Sequence, residues 1–274
     1  MMKIELDGVP ETMLWPLWNR AYETRRHDAL IEDPLAVKLV DKIDYDFPAS
    51  FGKPSRAHGV RARVGDDLLR DFLSRFGERA CVVALGEGLE TQYWRLGEPD
   101  VHWLSVDLEE SIDVRSRLLP AGKTQRHCSL SALDEAWMDL VPEGKVPFIS
   151  AMGLLMYFRE QEVVELLTAI ARRFPEAELF FDAIPPAFSK KTLRGHKITK
   201  TYQAPAMPWG ISVEHLPSFI EEIPGLNAVE VQDYAAPFPF AMGIYSLLAK
   251  IKPIRRALAP SLVHASVSAK AHNP

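Results

Sequence analysis

The sequence predicts an α/β protein built on a doubly wound, mostly parallel sheet with helices on both faces. Two observations lead to this prediction. From residue 80 onward, short apolar segments alternate with segments of helical periodicity, which is typical of a parallel sheet. Within them, residues 82–107 (VVALGEGLETQYWRLGEPDVHWLSVD) form an apolar strand, a Gly-x-Gly turn, a helix and a second apolar strand that ends at Asp107. Open sheets of this kind bind ligands beyond the carboxyl ends of their strands.

Helices are predicted ahead of the sheet. Apolar periodicity places them over residues 12–30, 34–43 and 56–77, with a loop at 44–55 that contains proline and glycine. Asp33 followed by Pro34 is typical of a helix cap and the first helical position. We expect residues 1–78 to form a helical cover over the ligand pocket.

Seven strands and five helices are predicted after this cover. Apolar runs place strands near residues 80–86, 102–107, 124–129, 146–152, 178–183, 227–232 and 242–249. Helical spacing places helices near residues 89–96, 109–119, 132–140, 159–173 and 213–223. Cys81 and Cys128 fall in predicted strands, so we expect reduced core residues rather than a disulfide or metal framework.

We predict one domain over residues 1–250, with a lid inserted at 185–212 and a basic C-terminal tail at 251–274 that frays at its end. A connection as long as the lid, without secondary structure, is usually functional. The lid has no acidic residue, and its basic residues are Lys190, Lys191, Arg194, Lys197 and Lys200. Positive charge among aromatic groups favours an anionic substrate with a flat ring system, and a solvated loop is the alternative.

The position of Asp107 indicates a nucleoside pocket. In doubly wound folds, a carboxylate about 20 residues beyond the first glycine of such a turn, here Gly86, binds the ribose hydroxyls. A dinucleotide would place its pyrophosphate at the helix N-terminus, where Glu87 and Glu90 would repel it. The sulfonium of S-adenosylmethionine would meet no such repulsion. A tight turn without a ligand and a nicotinamide oxidoreductase are the alternatives.

Composition is that of an ordinary soluble enzyme. With 274 residues and 47% hydrophobic content, the chain can bury a large core. A net charge of −5 argues against a general nucleic-acid surface. We expect a cytoplasmic protein without a membrane segment, because no signal-like segment opens the chain and no apolar run approaches about 18 residues. Its oligomeric state is not predicted.

Several motifs resemble one known family. The segment LGEGLETQYWRL is similar to the Leu-Gly-x-Gly-Leu-Asp-Thr signature of the leucine carboxyl methyltransferase family, whose bacterial branch includes polyketide O-methyltransferases. Further similar motifs occur in order across most of residues 10–250: ETMLWPLWNRAYETRR, DPLAVKLVDKIDYDF, VRARVGDDLLRDFL, SALDEAWMDLV, SAMGLLMYF and RRFPEAELFFDAIPP. The resemblance implies S-adenosyl-L-methionine as cofactor and a class I, Rossmann-like methyltransferase fold whose last strand is antiparallel.

The resemblance also implies the residues of the site. Arg61 would pair with the methionyl carboxylate, a task suited to a planar bidentate donor, and Arg20 would reach the same end. The complete predicted cofactor set is Arg20, Arg61, Gly86, Gly88, Asp107, Leu108, Ser131, Ala132, Leu133 and Met152. The residues predicted to face the substrate and the methyl group are Tyr157, His196, Tyr202 and Trp209.

Three positions depart from the family pattern. Glu90 stands where aspartate is usual, and Ser131 stands where many relatives have an acid that accepts from adenine. Met152 stands where glutamate is common beside the amino acid portion of the cofactor. Either another acid replaces that glutamate or the ammonium group is bound less tightly.

The chemistry of the acceptor favours a carboxylate. Methyl transfer from a sulfonium is an in-line displacement that requires no metal. A carboxyl group with a pKa of about 4 is already ionised, whereas a phenol with a pKa of about 10 would profit from a base. Lone histidines at positions 58, 196 and 215 are the only plausible bases. We therefore predict O-methylation of a small natural-product-like acid, with a phenol second. A protein C-terminal carboxylate and a noncatalytic cofactor-binding protein are the alternatives.

Overall fold

The computed structural model describes residues 6–269 and the backbone of residues 2–3. Fraying was predicted for residues 266–274; residues 270–274 lie outside the described residues, whereas Ser266 and Val267 belong to the last strand of the sheet, so for these two the prediction is wrong. No helix within the described part is both long and apolar enough to cross a membrane.

The cover consists of short helices around one long helix. Its elements are β1 (Met2–Lys3), α1 (Gly8–Glu11), α2 (Leu14–Thr24), α3 (Pro34–Lys42), β2 (Ile43–Asp44), α4 (Phe47–Phe51) and α5 (Ala57–Phe76). The side chain of Asp33 accepts from the amide of Ala36 and Pro34 follows it, as the sequence predicts. The predicted loop at 44–55 is partly wrong, since α4 forms there. Asp46 caps α4, and Phe47 and Phe51 are buried under it.

A seven-stranded sheet forms the centre of the molecule. Its strands are β3 (Ala80–Leu85), β4 (His102–Asp107), β5 (Gln125–Ser129), β6 (Val146–Ala151), β7 (Glu178–Ala183), β8 (Leu226–Asp233) and β9 (Ser261–Val267). Their order is β5-β4-β3-β6-β7-β9-β8. The first five strands in this order are parallel to one another, and β9 is antiparallel to both of its neighbours, β7 and β8. Every residue of β3, β6 and β7 is buried, which explains why these strands are mostly apolar and do not alternate between apolar and polar residues. Cys81 and Cys128 are free and buried in strands, as predicted.

Helices connect these strands on both faces. They are α6 (Gln92–Arg95), α7 (Glu109–Leu118), α8 (Glu160–Arg173), α9 (Pro186–Thr192), α10 (Leu216–Glu221), α11 (Pro239–Met242), α12 (Ile244–Leu248) and α13 (Lys252–Leu258). Short 3₁₀ helices occupy Gly77–Arg79, Glu135–Leu140 and Leu155–Tyr157. The helix predicted at 132–140 is therefore 3₁₀ over its second part.

The last strand and the tail were assigned wrongly from the sequence. Residues 242–249 contain no strand, because Met242 ends α11 and Ile244–Leu248 form α12. Gly243, between the two helices, has a φ of +54°, which interrupts an extended run. The antiparallel strand is β9, which lies within the predicted tail at 251–274 and pairs along its whole length with β7. The sequence of β9 (SLVHASV) does not resemble a central strand, because it is rich in small and polar residues. In the structure, Leu262, Val263 and Ala265 are nevertheless fully buried between two strands.

The segment predicted as a lid is packed against the cover. It begins with α9 and continues as extended chain with one isolated bridge between Lys197 and Gln203. The Thr199 and Thr201 hydroxyls donate to the carbonyls of Ser50 and Ala49, at 3.1 and 2.6 Å. These hydrogen bonds connect the segment to the end of α4, so cover and lid enclose the same edge of the sheet.

Candidate active site

A cavity of about 550 Å³ lies beyond the carboxyl ends of β3, β4, β6 and β7. The cover contributes α1 and α2 to its wall, and α9 contributes the opposite part of the lining. This is the edge at which open α/β sheets bind ligands, because the loops there leave the sheet toward opposite faces.

The Gly-x-Gly turn forms one wall of the cavity. Gly86 has a φ of +61° and Gly88 a φ of +47°, a backbone region that favours glycine. A Cβ atom at Gly86 would lie 2.8 Å from a methyl carbon of Leu154, and one at Gly88 would lie 2.9 Å from Cβ of Met13. Both positions therefore require glycine for conformation and for space.

Asp107 faces the same wall from the end of β4. The Gly88 amide donates to its Oδ2 at 2.7 Å, and the Leu108 amide donates to its Oδ1 at 2.8 Å. Burial raises the pKa of this carboxyl, and the two amide hydrogen bonds oppose that shift. Each oxygen keeps a further lone pair for a ligand. The carboxylate is thus held in a fixed orientation at the turn.

The acidic residues of the turn are paired with arginines. Arg115 is fully buried, donates to the Gly88 and Glu90 carbonyls at 2.7 and 2.8 Å, and lies 3.1 Å from Oε1 of Glu87. Burial raises the pKa of Glu87, and Arg115 opposes the shift. Because these charges are compensated within the protein, Glu87 and Glu90 would repel a pyrophosphate less strongly than the sequence indicates.

Arg20 belongs to an ion network rather than to a free binding position. Its Nε lies 3.0 Å from Asp33, one terminal nitrogen lies 3.0 Å from Glu90, and the other donates to the Leu89 carbonyl at 2.7 Å. Arg95 joins Glu90, Asp33 and Asp66 in the same network. Arg20 also lines the cavity, so its contact with the carboxylate of the cofactor stays a prediction, although three of its five N–H groups already have partners. Arg20 connects the cover to the glycine turn.

This network predicts a pH dependence of stability. Burial raises the pKa of Glu90, but Arg20 and Arg95 outweigh it and lower the pKa from 4.5 to about 2. A carboxyl with a depressed pKa contributes stability above its unfolded value, and that contribution disappears as the pH falls from 4.5 toward 2. Between neutral pH and about pH 3, we expect the difference in unfolding free energy between wild type and Glu90→Gln to shrink by about 2 kcal/mol, and the rest is lost only toward about pH 2.

Urea denaturation at neutral pH and at about pH 3 measures this difference. Glu110→Gln on the exposed face of α7 is the matched control and should change the unfolding free energy little at either pH. A wild-type to Glu90→Gln difference that stays constant with pH would contradict the assignment.

A second buried charge pair lies at the ends of β6 and β7. Arg61 of α5 donates to Oδ2 of Asp182 at 3.0 Å, and the Tyr234 hydroxyl donates to the same oxygen at 2.6 Å. The Gly153 amide donates to the other oxygen of Asp182. Both Arg61 and Asp182 line the cavity. Sequence analysis missed Asp182, although an acid at the end of the apolar strand ELFFDA was a usable signal.

Most other predicted cofactor residues line the cavity. Leu108, Ser131, Ala132 and Met152 do so, and Tyr157 lines it as well. Leu133 does not belong to the lining, because its side chain turns outward and is 36% exposed. Ser131 Oγ accepts from the Leu133 amide at 3.2 Å, which shapes the turn after β5.

Three residues predicted to face the substrate lie behind the cavity wall. Trp209 is in the core, with its ring 5.6 Å from that of Phe219, and Tyr202 packs on Phe51 at 4.9 Å. The ring of His196 packs on the outer side of Phe188 at 5.7 Å, and Phe188 itself lines the cavity. None of the three lines the cavity, since packing turns their rings toward other side chains, and a role of these residues toward the substrate stays a prediction.

The substrate-facing part of the wall is formed by other residues. The cover contributes Thr12, Trp15 and His58, and α9 contributes Phe188 and Lys191. Of the five basic lid residues named from the sequence, Lys191 is the one that lines the cavity within the described residues. From the sequence, His58 was considered as a possible base, and Phe188 and Lys191 as aromatic and basic residues of the lid, whereas Thr12 and Trp15 were not identified. Helical spacing was the only sequence signal for Trp15. Its place on the cavity wall depends on how the cover packs on the sheet, which the local sequence does not indicate.

The fold and the position of the cavity define a class I methyltransferase architecture. A structure from Thermobifida fusca YX that is assigned as a methyltransferase superposes with a TM-score of 0.55 at 16% identity, covering 91% of this chain and 94% of that one. This similarity shows the fold.

The chain belongs to the leucine carboxyl methyltransferase family, which it matches over residues 14–171. It is 34% identical over 230 residues to the tetracenomycin polyketide synthesis O-methyltransferase TcmP of Streptomyces glaucescens, covering 83% of each chain. It is 27% identical over 203 residues to the S-adenosyl-L-methionine-dependent methyltransferase dpfgK of Gibberella zeae, covering 66% of this chain and 68% of that one. The predicted fold, cofactor and enzyme class are therefore confirmed. The protein is an S-adenosylmethionine-dependent methyltransferase.

Proposed function

We propose that the protein transfers a methyl group to an oxygen of a small, anionic, aromatic acceptor, with a carboxylate preferred to a phenolic hydroxyl. The observation that carries this proposal is the composition of the part of the cavity wall contributed by α2 and α9. Trp15 and Phe188 offer flat apolar surfaces, and Lys191 adds a positive charge from α9. The similarity to a polyketide O-methyltransferase supports the same class of acceptor.

The ionisable groups of the wall support a carboxylate. Burial raises the pKa of Tyr157 to about 12, so its hydroxyl stays protonated and cannot act as a base at neutral pH. A phenolic acceptor would need to lose a proton, whereas a carboxylate is already a nucleophile. The cavity is thus better suited to an acceptor that arrives ionised.

The residues around the cavity fit the cofactor. When bound, S-adenosylmethionine supplies an electrophilic methyl group on a sulfonium centre. Asp107, fixed by two backbone amides, would accept from the ribose hydroxyls. Ser131 and Ala132 would face adenine. Arg61 would face the methionyl carboxylate, with its guanidinium paired on the other side with Asp182. Asp182 also supplies an acid near the position where Met152 replaces the usual glutamate. The remaining task of the protein is to align the acceptor oxygen in a dry pocket.

Transfer of a labelled methyl group tests this proposal. Naphthoate and naphthol form a matched pair of acceptors that differ in the ionisable group but share the ring system. We expect wild type to methylate naphthoate faster than naphthol at neutral pH, in the absence of added metal. Faster methylation of naphthol would overturn the carboxylate preference. If neither of these two compounds nor any other aromatic acid is methylated, the proposed acceptor class is wrong.

Lys191→Gln is expected to weaken acceptor binding without affecting the cofactor. The side chain is exposed at the wall, so we expect KM for naphthoate to rise about threefold to tenfold, with little change in kcat. Lys190→Gln is the matched control, since Lys190 is also exposed on α9 but does not line the cavity. Equal effects of the two substitutions would show that α9 acts only through its general charge.

A further inference from the structure

His58, which is partly buried, and Asn19, which is fully buried, are in contact at the wall of the cavity. Asn19 lies on α2 and is fully buried, and its Nδ2 is 2.6 Å from Nδ1 of His58. Its Oδ1 accepts from the backbone amide of Ser55 at 3.2 Å. The ring of His58 meets the edge of Trp15 at 6.1 Å, so it is held on a second side as well.

These contacts determine which nitrogen of His58 carries the proton. A backbone amide can only donate, so the atom of Asn19 that faces Ser55 must be the oxygen, and the atom that faces His58 must be the NH₂ group. Nδ1 of His58 therefore accepts a hydrogen bond. In a neutral imidazole the proton is then on Nε2.

The charges around the ring keep it neutral. Burial lowers the pKa of His58 well below 6.5, and the positive charges of Arg61 and Arg20 lower it further, while Glu90 opposes the shift. These groups come from α5, α2 and the glycine turn, so every element near the ring contributes. An imidazolium would stand beside two cations.

The protonated edge of the ring is the one left for a ligand in the cavity. His58 lines the cavity, whereas Asn19, which binds the Nδ1 edge, does not. Nε2 lies on the opposite side of the ring from Asn19. Within residues 6–269, no hydrogen bond uses Nε2.

We propose that His58 is a neutral N–H donor that binds one oxygen of an ionised acceptor, and that Asn19 is a positioning residue that sets this tautomer. The proposal rests on the proposed function and specifies its acceptor. One carboxylate oxygen accepts from Nε2, and the other forms the new C–O bond as the bond between the methyl carbon and sulfur breaks. The negative charge of the carboxylate and the positive charge of the sulfonium cancel, and no proton is transferred. His58 is not a general base, because its lone pair is already engaged by Asn19.

Imidazole ¹⁵N spectra test the tautomer directly, with His58→Leu used to assign the signal. We expect a neutral ring protonated at Nε2 at neutral pH. A ring protonated at Nδ1, or an imidazolium, would overturn the proposal whatever acceptor is used.

Binding of naphthoate to the complex with S-adenosylhomocysteine tests the role of the donor. Calorimetry should show that His58→Leu weakens naphthoate about tenfold to a hundredfold, and that His58→Gln, which keeps an N–H donor, recovers part of that loss. Affinity for S-adenosylhomocysteine should stay unchanged in both variants. Unchanged naphthoate affinity in His58→Leu overturns this role for His58, whereas wild type that transfers no methyl group to any carboxylate overturns the proposed function instead.

Asn19→Asp reverses the polarity of the pair. One carboxylate oxygen can still accept from Ser55, and the other would accept from Nδ1–H, which leaves the lone pair of Nε2 toward the cavity. We expect methyl transfer to naphthoate to fall and transfer to naphthol to rise relative to wild type. An unchanged ratio of the two rates in a folded Asn19→Asp protein would contradict the role given to Asn19.

Discussion

Arg61→Met is expected to lower the free energy of unfolding by about 3–5 kcal/mol, because it leaves the buried carboxylate of Asp182 without its cation. Arg61 and Asp182 are 5% and 4% exposed, and the distance between their charged atoms is 3.0 Å. Sequence analysis alone would predict a loss of cofactor binding without a loss of stability. The structure changes that expectation, since Arg61 supports the protein as well as the site.

Urea denaturation of three variants on the same background measures this effect. Arg61→Met/Asp182→Asn removes both charges and keeps an oxygen for Tyr234, so it should recover much of the lost stability. Arg63→Met is the matched control, because Arg63 lies on the same helix in an exposed pair with Asp67 and should contribute less than about 1 kcal/mol. An Arg61→Met protein as stable as the control would show that Asp182 does not depend on this arginine.

Asp107→Ala is expected to weaken binding of S-adenosylhomocysteine about tenfold to a hundredfold, because hydrogen bonds to a charged group are lost on the ribose side. The amides of Gly88 and Leu108 also lose their acceptor, so the glycine turn becomes less well oriented. Asp107→Asn keeps one acceptor oxygen and should give an intermediate affinity. Calorimetry gives the dissociation constants, and circular dichroism confirms that the variants are folded.

Asp113→Ala is the control for this measurement. Asp113 is on α7, shortly after Asp107, and its side chain is 64% exposed and pairs only with Arg117 within the described residues. Its replacement should leave affinity unchanged. If Asp107→Ala also bound as wild type does, the sugar would have to be held by another group and the placement of the cofactor would be wrong.

The central strands were predictable because they are buried on both faces. The strands predicted at 102–107 and 178–183 coincide with β4 and β7, and the one predicted at 80–86 exceeds β3 by a single residue. Continuous apolar runs between turn residues are a local signal, and it needs no knowledge of distant neighbours. The Gly-x-Gly turn and Asp107 are local in the same way.

The edge of the sheet was not predictable by the same reasoning. The segment GIYSLL has the composition of a strand but forms α12, in which Ile244 and Tyr245 are each 67% exposed. The segment SLVHASV has small and polar residues but is inserted between β7 and β8. Which segment enters the sheet depends on a pairing partner about 80 residues away, and local propensity carries no information on that choice.

The sequence by itself determined the family, the alternating α/β order, the glycine turn and the carboxylate that faces it, since each depends on residues that are close along the chain. Tertiary structure alone decided which charged side chains remain available to a ligand. Arg20 is paired with Asp33 and Glu90, Asp182 comes to share the cavity with Arg61, and Asn19 comes into contact with Nδ1 of His58. These partners are brought together by packing of the cover on the sheet, and the chemistry of an ionisable group depends on the neighbours that packing supplies.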